Sequence, residues 1–294
     1  MMFMGAVAAH SCATSFYNPL WVGLAEQSLN IIEAGTTIPW YEQTLVLWPS
    51  LLFNLLFIFL VTKIYKTRNM GNHGDSKAYF DMEARLMGPI KSSEKKCCVV
   101  LALLMVFLIT SPLHGLPTAY GFMVLPWLLY LPGVKVGSKA SLSKINLGIM
   151  VFIVSSMSIA SVGTYVGLTS FITDVFVPML SHLSPVAILG GTYIGGVLGN
   201  ILMTSGAMLP TFSAPFASIA TGIGINPMSL IMTLILTCTV YIFPYEIPAF
   251  VILLGFGLIK MNDFIKFATL RAVVFTVGFF VLQIPYMYLI GYIM

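Results

Sequence analysis

Long apolar blocks separated by short polar gaps run along this chain. The blocks near 45–62, 97–113, 117–133, 146–170 and 272–292 are each long enough to approach the roughly 20 apolar residues that a helix needs to cross a bilayer. The stretch 186–259 is longer and divides internally. Residues 186–203 and 207–223 are apolar, with Thr204, Ser205 and Gly206 between them. Residues 228–243 and 249–259 are apolar, with Pro244, Tyr245, Glu246, Ile247 and Pro248 between them. The first 30 residues repeat the pattern, with a polar knot from His10 to Pro19. Three apolar segments are therefore interrupted by polar, Gly or Pro residues, which predicts broken helices.

Composition supports a membrane setting. Hydrophobic residues make up 58% of the 294 and charged residues only 8%, against about 25% in soluble domains. So few charges cannot cover a water-facing surface. From Asp174 to Glu246 there are 71 intervening residues without one Asp, Glu, Lys or Arg. A cleaved targeting segment is single and short, so it does not explain this pattern. The net charge of +4 implies no nucleic-acid partner, because the cations sit in loops between apolar blocks. Cys12, Cys97, Cys98 and Cys238 have neither disulfide nor zinc spacing.

The cations set an orientation. All 14 Lys and Arg fall in three gaps: Lys63 to Lys96, Lys135 to Lys144, and Lys260 to Arg271. The positive-inside rule places loops 63–96, 134–144 and 260–271 on the cytoplasmic side of a cytoplasmic membrane. The remaining gaps carry Glu26, Glu33, Glu42 and Asp174. For 260–271 to be inside, 186–259 must cross an odd number of times. A re-entrant hairpin over 186–223 followed by a broken span over 228–259 meets this condition. So do three ordinary spans. The small polar tip Thr204-Ser205-Gly206-Ala207 favours the hairpin, since a loop reaching water would be expected to hold charge.

Breaks carry chemistry. Each frees backbone N–H and C=O groups that hydrocarbon cannot pair. Half-helix N-termini favour anions and unwound carbonyls favour Na⁺. Matched breaks are the sequence pointer to a transport site. Glu246 is the sharpest anomaly, a carboxylate between two prolines and far from other charges. Such a group is costly in a membrane and usually functional. It either titrates protons or binds a cation in the functional reading, and in the bland one pairs with a backbone donor or reaches the cytoplasmic side. His10, His73, His114 and His182 read as packing or loop residues. Ser155, Ser156 and Ser158, with Gly190, Gly191, Gly195 and Gly196, read as close helix packing. The basic gap 63–96 has room for a surface-lying amphipathic helix near 77–90. No His-Glu-x-x-His, paired intramembrane Asp or Ser-His arrangement points to an enzyme.

The chain resembles the C-terminal portion of the divalent anion–sodium symporters, carriers of sulfate, citrate and C4-dicarboxylates. Ala13-Thr14-Ser15-Phe16-Tyr17-Asn18, followed by Gly23, is similar to the family's Thr-Gly-Thr-Pro-Pro-Asn loop. Trp40 to Trp48 and Leu86-Met87-Gly88-Pro89 resemble the connector between repeats. Thr204-Ser205-Gly206-Ala207, with Pro215, stands where the second Ser-Asn-Thr hairpin tip belongs, and Gly224-Ile225-Asn226-Pro227 follows. Pro244 to Phe250 occupies the second Thr-Pro-Pro-Asn loop, and Gly257 to Phe264 leads into the last span. The departures are Gly206 for Asn, Ala207 for Thr, and Ile247, Ala249 and Phe250 for Thr, Pro and Asn.

The resemblance implies an all-α polytopic membrane protein of ion-transporter-type fold, with a re-entrant hairpin, broken helices and a partial inverted repeat. Residues 1–62 would end the first repeat, 63–96 would connect, and 97–294 would form the second repeat. It implies secondary active transport of a di- or tricarboxylate or sulfate by alternating access, coupled to Na⁺ or H⁺, with no other cofactor. Thr14, Ser15, Asn18, Thr204, Ser205, Gly206, Glu246 and Pro248 become the candidate substrate and ion ligands, with Na⁺ at Ser15, Asn18 and Ser205. Expected partners are the anion, the coupling ion, the lipid bilayer and a second copy in a homodimer. Such carriers are usually longer, with four more spans and a first hairpin ahead of this point, so the resemblance implies a truncated product, a fragment, or one part of a split carrier whose partner is an N-terminal half. The alternatives are a non-transporting fragment or assembly subunit, and a related carrier of another ion.

Overall fold

A computed structural model describes residues 18–30, 37–64, 74–116, 118–143, 147–148, 151, 154–155, 158, 162–163, 165–247, 250, 254 and 260–293. The described residues are almost entirely helical, and no strand occurs among them. They divide into two units, one within Leu60–Ile145 and one within Met2–Phe59 and Asn146–Met294.

In the second unit α1 is Pro19–Leu29, α2 Trp40–Leu47 and α3 Pro49–Ile64, whose last turn belongs to the other unit. The sequence predicts a span over 45–62. The helices found there, Tyr41–Leu47 and Pro49–Ile64, are together long and apolar enough for a span, but their axes differ by 59°. Pro49 is the cause, because it has no N–H for the Leu45 carbonyl and its ring crowds that turn. The bend frees carbonyls, and each receives a side-chain donor. Tyr286 Oη donates to Leu45 O (2.8 Å), Gln283 Nε2 to Val46 O (2.7 Å) and Ser50 Oγ to Leu47 O (2.6 Å). Beyond the bend, α3 buries Phe53, Phe57 and Val61 on one face and leaves apolar side chains exposed on the other. Ser50 and Asn54 are buried, while Leu52, Leu55, Leu56 and Phe59 are exposed. Apolar exposure on this scale fits lipid and not water.

The first unit contains α4, Gly74–Met87, and α5, Ser92–Ile109. It continues into α6, Thr118–Val124, which tightens into a 3₁₀ segment, Leu125–Tyr130. α5 starts on a local cap in which the Lys91 N–H donates to Glu94 Oε2 at 2.9 Å. It runs antiparallel to the following segment. Lys96 Nζ reaches Val134 O at 2.7 Å at one end, and a Cβ on Gly121 would lie 2.5 Å from the Phe107 ring at the other.

Further along the second unit come α7, Leu168–Leu180, α8, Pro185–Leu202, α9, Ser205–Ile223, and α10, Pro227–Thr237. The span expected over 146–170 falls largely outside the described residues. Asp174, expected in a loop, sits within α7, and Glu26 and Glu42, also expected in loops, lie within α1 and α2. Glu26 is buried and accepts the Ile38 N–H at 2.7 Å. α8 and α9 form an antiparallel hairpin. A Cβ on Gly199 would meet Phe212 at 2.7 Å, and one on Gly195 would meet Phe216 at 3.8 Å, so the register runs in opposite directions about the joint at Met203-Thr204. α9 closes on Gly224, which takes the left-handed φ of +74° that favours glycine. Asn226 then caps α10 through Oδ1, accepting the Met228 N–H at 3.0 Å.

α11 is Met261–Gly278, followed by a π-helical turn, Phe279–Gln283, and α12, Ile284–Leu289. The sequence predicts this last span from residue 272 and a loop over 260–271. The helix instead begins at Met261, so Lys266 and Arg271 are helical. Lys260 is the cation left before it. Arg271 is 0% exposed, which corrects its placement among the loop cations. Pro285 has no N–H for Val281, and the π turn beside it directs Gln283 towards the α2 carbonyl it satisfies. Met261–Leu289 and Pro185–Leu202 are each long and apolar enough to cross a membrane.

Close approach sets one stability prediction. A Cβ on Gly196 would lie 2.5 Å from Thr237 Oγ1, whereas one on Gly191 of the same helix meets nothing within 4 Å. Gly196→Ala should destabilise the protein by about 1–3 kcal/mol through overpacking. Gly191→Ala should be neutral or slightly stabilising. Thermal unfolding of the detergent-solubilised protein distinguishes them.

Candidate transport site

Two interruptions of helix meet in the second unit. The first is the joint between α8 and α9. It is shorter than the expected four-residue tip, because Ser205, Gly206 and Ala207 already form the first turn of α9. Thr204 occupies the N-cap position, with φ −73° and ψ 155°, yet its hydroxyl makes no capping bond. Its carbonyl instead accepts the Ala207 and Met208 N–H groups, both at 2.9 Å. Pro210 offers no N–H to the Gly206 carbonyl four residues earlier. The joint thus presents the carbonyl end of α8, the N–H end of α9 and two hydroxyls.

The second interruption follows α10. The sequence places this break at 244–248, but regular helix already stops at Thr237. Hydroxyls of Thr237 and Thr239 turn back onto Leu234 O (2.7 Å) and Leu236 O (2.8 Å), competing with the helical ladder. One 3₁₀ turn, Pro244–Glu246, interrupts the extended path.

Side chains lock the two interruptions together. Asn200 Nδ2 donates to Thr237 O at 2.7 Å and to Val240 O at 3.4 Å. Tyr245 Oη donates to Ile201 O at the carbonyl end of α8. Glu246 is 1% exposed and folds back on its own segment. Its Oε1 accepts the N–H groups of Ile242 (2.9 Å) and Phe243 (2.7 Å). Half of this carboxylate is therefore a backbone cap.

Four oxygens at this junction are buried without a hydrogen-bond partner: Asn200 Oδ1, Thr204 Oγ1, Ser205 Oγ and Glu246 Oε2. Ser111 Oγ and Gln283 Oε1 share that condition elsewhere among the described residues. Such groups are rare, because leaving one unpaired costs about 1–3 kcal/mol. The bend at Pro49 has its carbonyls satisfied by side chains, whereas this junction keeps oxygens in reserve. Hydroxyl, amide and carboxylate oxygens are hard donors suited to an alkali cation. No group of three or more His, Cys, Asp or Glu that could hold a metal occurs among the described residues.

The sequence-predicted site residues divide accordingly. Thr204, Ser205, Gly206 and Glu246 lie at the junction. Asn18 caps α1, with Oδ1 accepting the Trp21 N–H at 3.4 Å, and its own N–H donates to Gln43 Oε1 at 2.9 Å. Thr14, Ser15 and Pro248 lie outside the described residues. Sequence reasoning missed Asn200, which looks like an ordinary span residue, and gave no role to Tyr245, which it placed in the break. It also missed Arg271, whose signal was its position at the edge of a 23-residue uncharged run.

A polar centre built at helix breaks inside an apolar, lipid-facing shell is the construction of secondary carriers. The family profile described as the sodium:sulfate symporter transmembrane region matches residues 1–293. The chain belongs to that family, and is a multi-pass membrane protein of a family of sodium-coupled anion transporters. A comparison with curated proteins finds no match.

The interlock predicts a ranking. Asn200→Ala removes the donor that spans both interruptions and should cost about 1–3 kcal/mol. Tyr245→Phe leaves the ring in place and should cost about 1 kcal/mol. Thermal unfolding in detergent reads both, and equal losses would contradict the central role given to Asn200.

Proposed function

We propose that the chain carries a small anion, a di- or tricarboxylate or sulfate, by Na⁺ symport, with the junction of Thr204, Ser205 and Glu246 as a coupling-ion site. The observation behind this reading is the set of buried oxygens left without partners at a helix joint. A dehydrated Na⁺ needs several such oxygens at once. Glu246 Oε2 supplies the negative charge that the site's Gly206 and Ala207 cannot. In this reading Glu246 binds the cation directly, and its backbone cap keeps the carboxylate aimed while the site is empty.

The anion has a complementary position. The N-terminus of α9 opens at the joint, and the first N–H groups of a helix carry partial positive charge. An anion beside a bound Na⁺ would be held by that dipole, by the ion and by the small side chains at the tip. Filling both subsites removes the cost of the unpartnered oxygens, which favours movement of the loaded carrier over the half-loaded one. The basic segments on the cytoplasmic side and assembly as a homodimer belong to the same reading.

Uptake of labelled succinate, citrate and sulfate into proteoliposomes under imposed Na⁺ and H⁺ gradients tests this function. Uptake should follow the Na⁺ gradient. Glu246→Gln should raise the half-saturating Na⁺ concentration about tenfold or more, corresponding to at least about 1.4 kcal/mol of lost cation binding. Ser205→Ala should shift it in the same direction by less. Uptake that follows the proton gradient, with Glu246→Gln abolishing its pH dependence, would replace cation binding at Glu246 by proton transfer.

A further inference from the structure

Arg271 is a fully buried guanidinium in a span of the second unit, and its contacts converge on the junction from behind. Nε donates to Thr239 O at 3.0 Å, in the stretch that has left α10. Nη1 donates to Asn54 Oδ1 at 3.1 Å, on the far side of the Pro49 bend. Asn54 is itself fixed, because its Nδ2 donates to Ser50 O at 3.0 Å. The guanidinium carbon lies 4.1 Å from the Phe275 ring centre, 5.4 Å from Tyr241 and 5.5 Å from Phe57. Planar stacking with simultaneous donation in two directions is a geometry that Arg adopts and Lys cannot. One side chain thus ties the unwound stretch after Thr237 to the bent helix α3.

We propose that Arg271 is a positioning residue of the transport site, holding the unwound 238–241 stretch in register through the Thr239 carbonyl and Asn54. The proposal rests on the reading of this junction as the coupling-ion site. Glu246 and the carbonyls that Asn200 grips lie on the same run of chain as Thr239. Turn bonds from the Cys238, Thr239 and Val240 N–H groups hold the donor side of this run, and side-chain anchors such as Arg271 and Asn200 hold its carbonyls. Loosening Thr239 lets Val240 and Glu246 wander relative to the joint at Thr204. Cation affinity should suffer more than the rate of the loaded carrier.

Cys238 provides a reporter that does not depend on transport. It is the residue before Thr239 and is 1% exposed, whereas Cys97 and Cys98 are exposed. In a background with Cys12, Cys97 and Cys98 replaced by Ser, the rate of maleimide alkylation at Cys238 reads the position of the stretch. The variants are Arg271→Lys, Arg271→Gln and Asn54→Ala. Both Arg271 variants should speed alkylation about tenfold. They should also raise the half-saturating Na⁺ for succinate uptake about tenfold, with the maximal rate per folded carrier within about twofold of wild type. Asn54→Ala should give a smaller shift in the same direction. It carries the test if the Arg271 variants fail to fold.

Full rescue by Lys would overturn the proposal, since charge alone would then suffice. So would unchanged alkylation in folded Arg271→Gln, or a fall in maximal rate with half-saturation unaltered. If the wild-type protein takes up no anion at all, the transport reading fails. Alkylation then judges the positioning role by itself.

Discussion

A backbone carbonyl released from a helix in hydrocarbon must find a donor, and this requirement organises the second unit of the protein. Three interruptions release such groups: the Pro49 bend, the α8–α9 joint and the stretch after Thr237. At the bend the released carbonyls of Leu45, Val46 and Leu47 take Tyr286, Gln283 and Ser50. After Thr237 they take Asn200 and Arg271. Each donor comes from a different helix or turn, so satisfying a break is also what packs one element on another. The polar side chains that look out of place in apolar spans are the ones doing this pairing.

The two kinds of break differ in what they leave over. At the bend the released carbonyls are taken up by side chains, and the result is a fixed angle. At the α8–α9 joint the backbone is tidied by Thr204 O, Asn200 and Tyr245, but hydroxyl and carboxylate oxygens remain without partners. Burying Thr204 Oγ1, Ser205 Oγ and Glu246 Oε2 unpaired costs stability, and that cost is what sets this joint apart from the bend. The two oxygens of this carboxylate differ, since Oε1 caps Ile242 and Phe243 while Oε2 is buried without a hydrogen-bond partner. The backbone-pairing reading of Glu246 therefore describes Oε1.

Arg271 joins the two kinds of break. Its guanidinium bonds Asn54 beside the bend and Thr239 beside the site, with aromatic faces of Phe57, Tyr241 and Phe275 completing its surroundings. A buried cation survives there because Arg spreads its charge over a plane that rings can cover and carbonyls can edge. Arg271 thus couples the Pro49 bend to the stretch after Thr237, in addition to the direct packing of α2 on α10.

The amino-acid sequence by itself determined the membrane setting, the helical class and the position of one break, the joint at Thr204. Those follow from local properties: uncharged runs long enough to span, prolines that remove donors, and small polar residues where a loop would carry charge. The sodium-symporter family is legible in the same local pattern, in Thr204 to Ala207 and Gly224 to Pro227. Only the tertiary structure decided which polar groups are satisfied and which are not. Arg271 reads as a loop cation until α11 is seen to begin at Met261 and carry it inward. The break after α10 reads as starting at Pro244 until the Thr237 and Thr239 hydroxyls are seen to unwind it earlier. Asn200 reads as a span residue, and Tyr245 as one member of a break, until their partners, 37 and 44 positions away, are brought beside them. Hydrogen-bond satisfaction is a property of pairs distant in sequence, and no single segment of the chain encodes it.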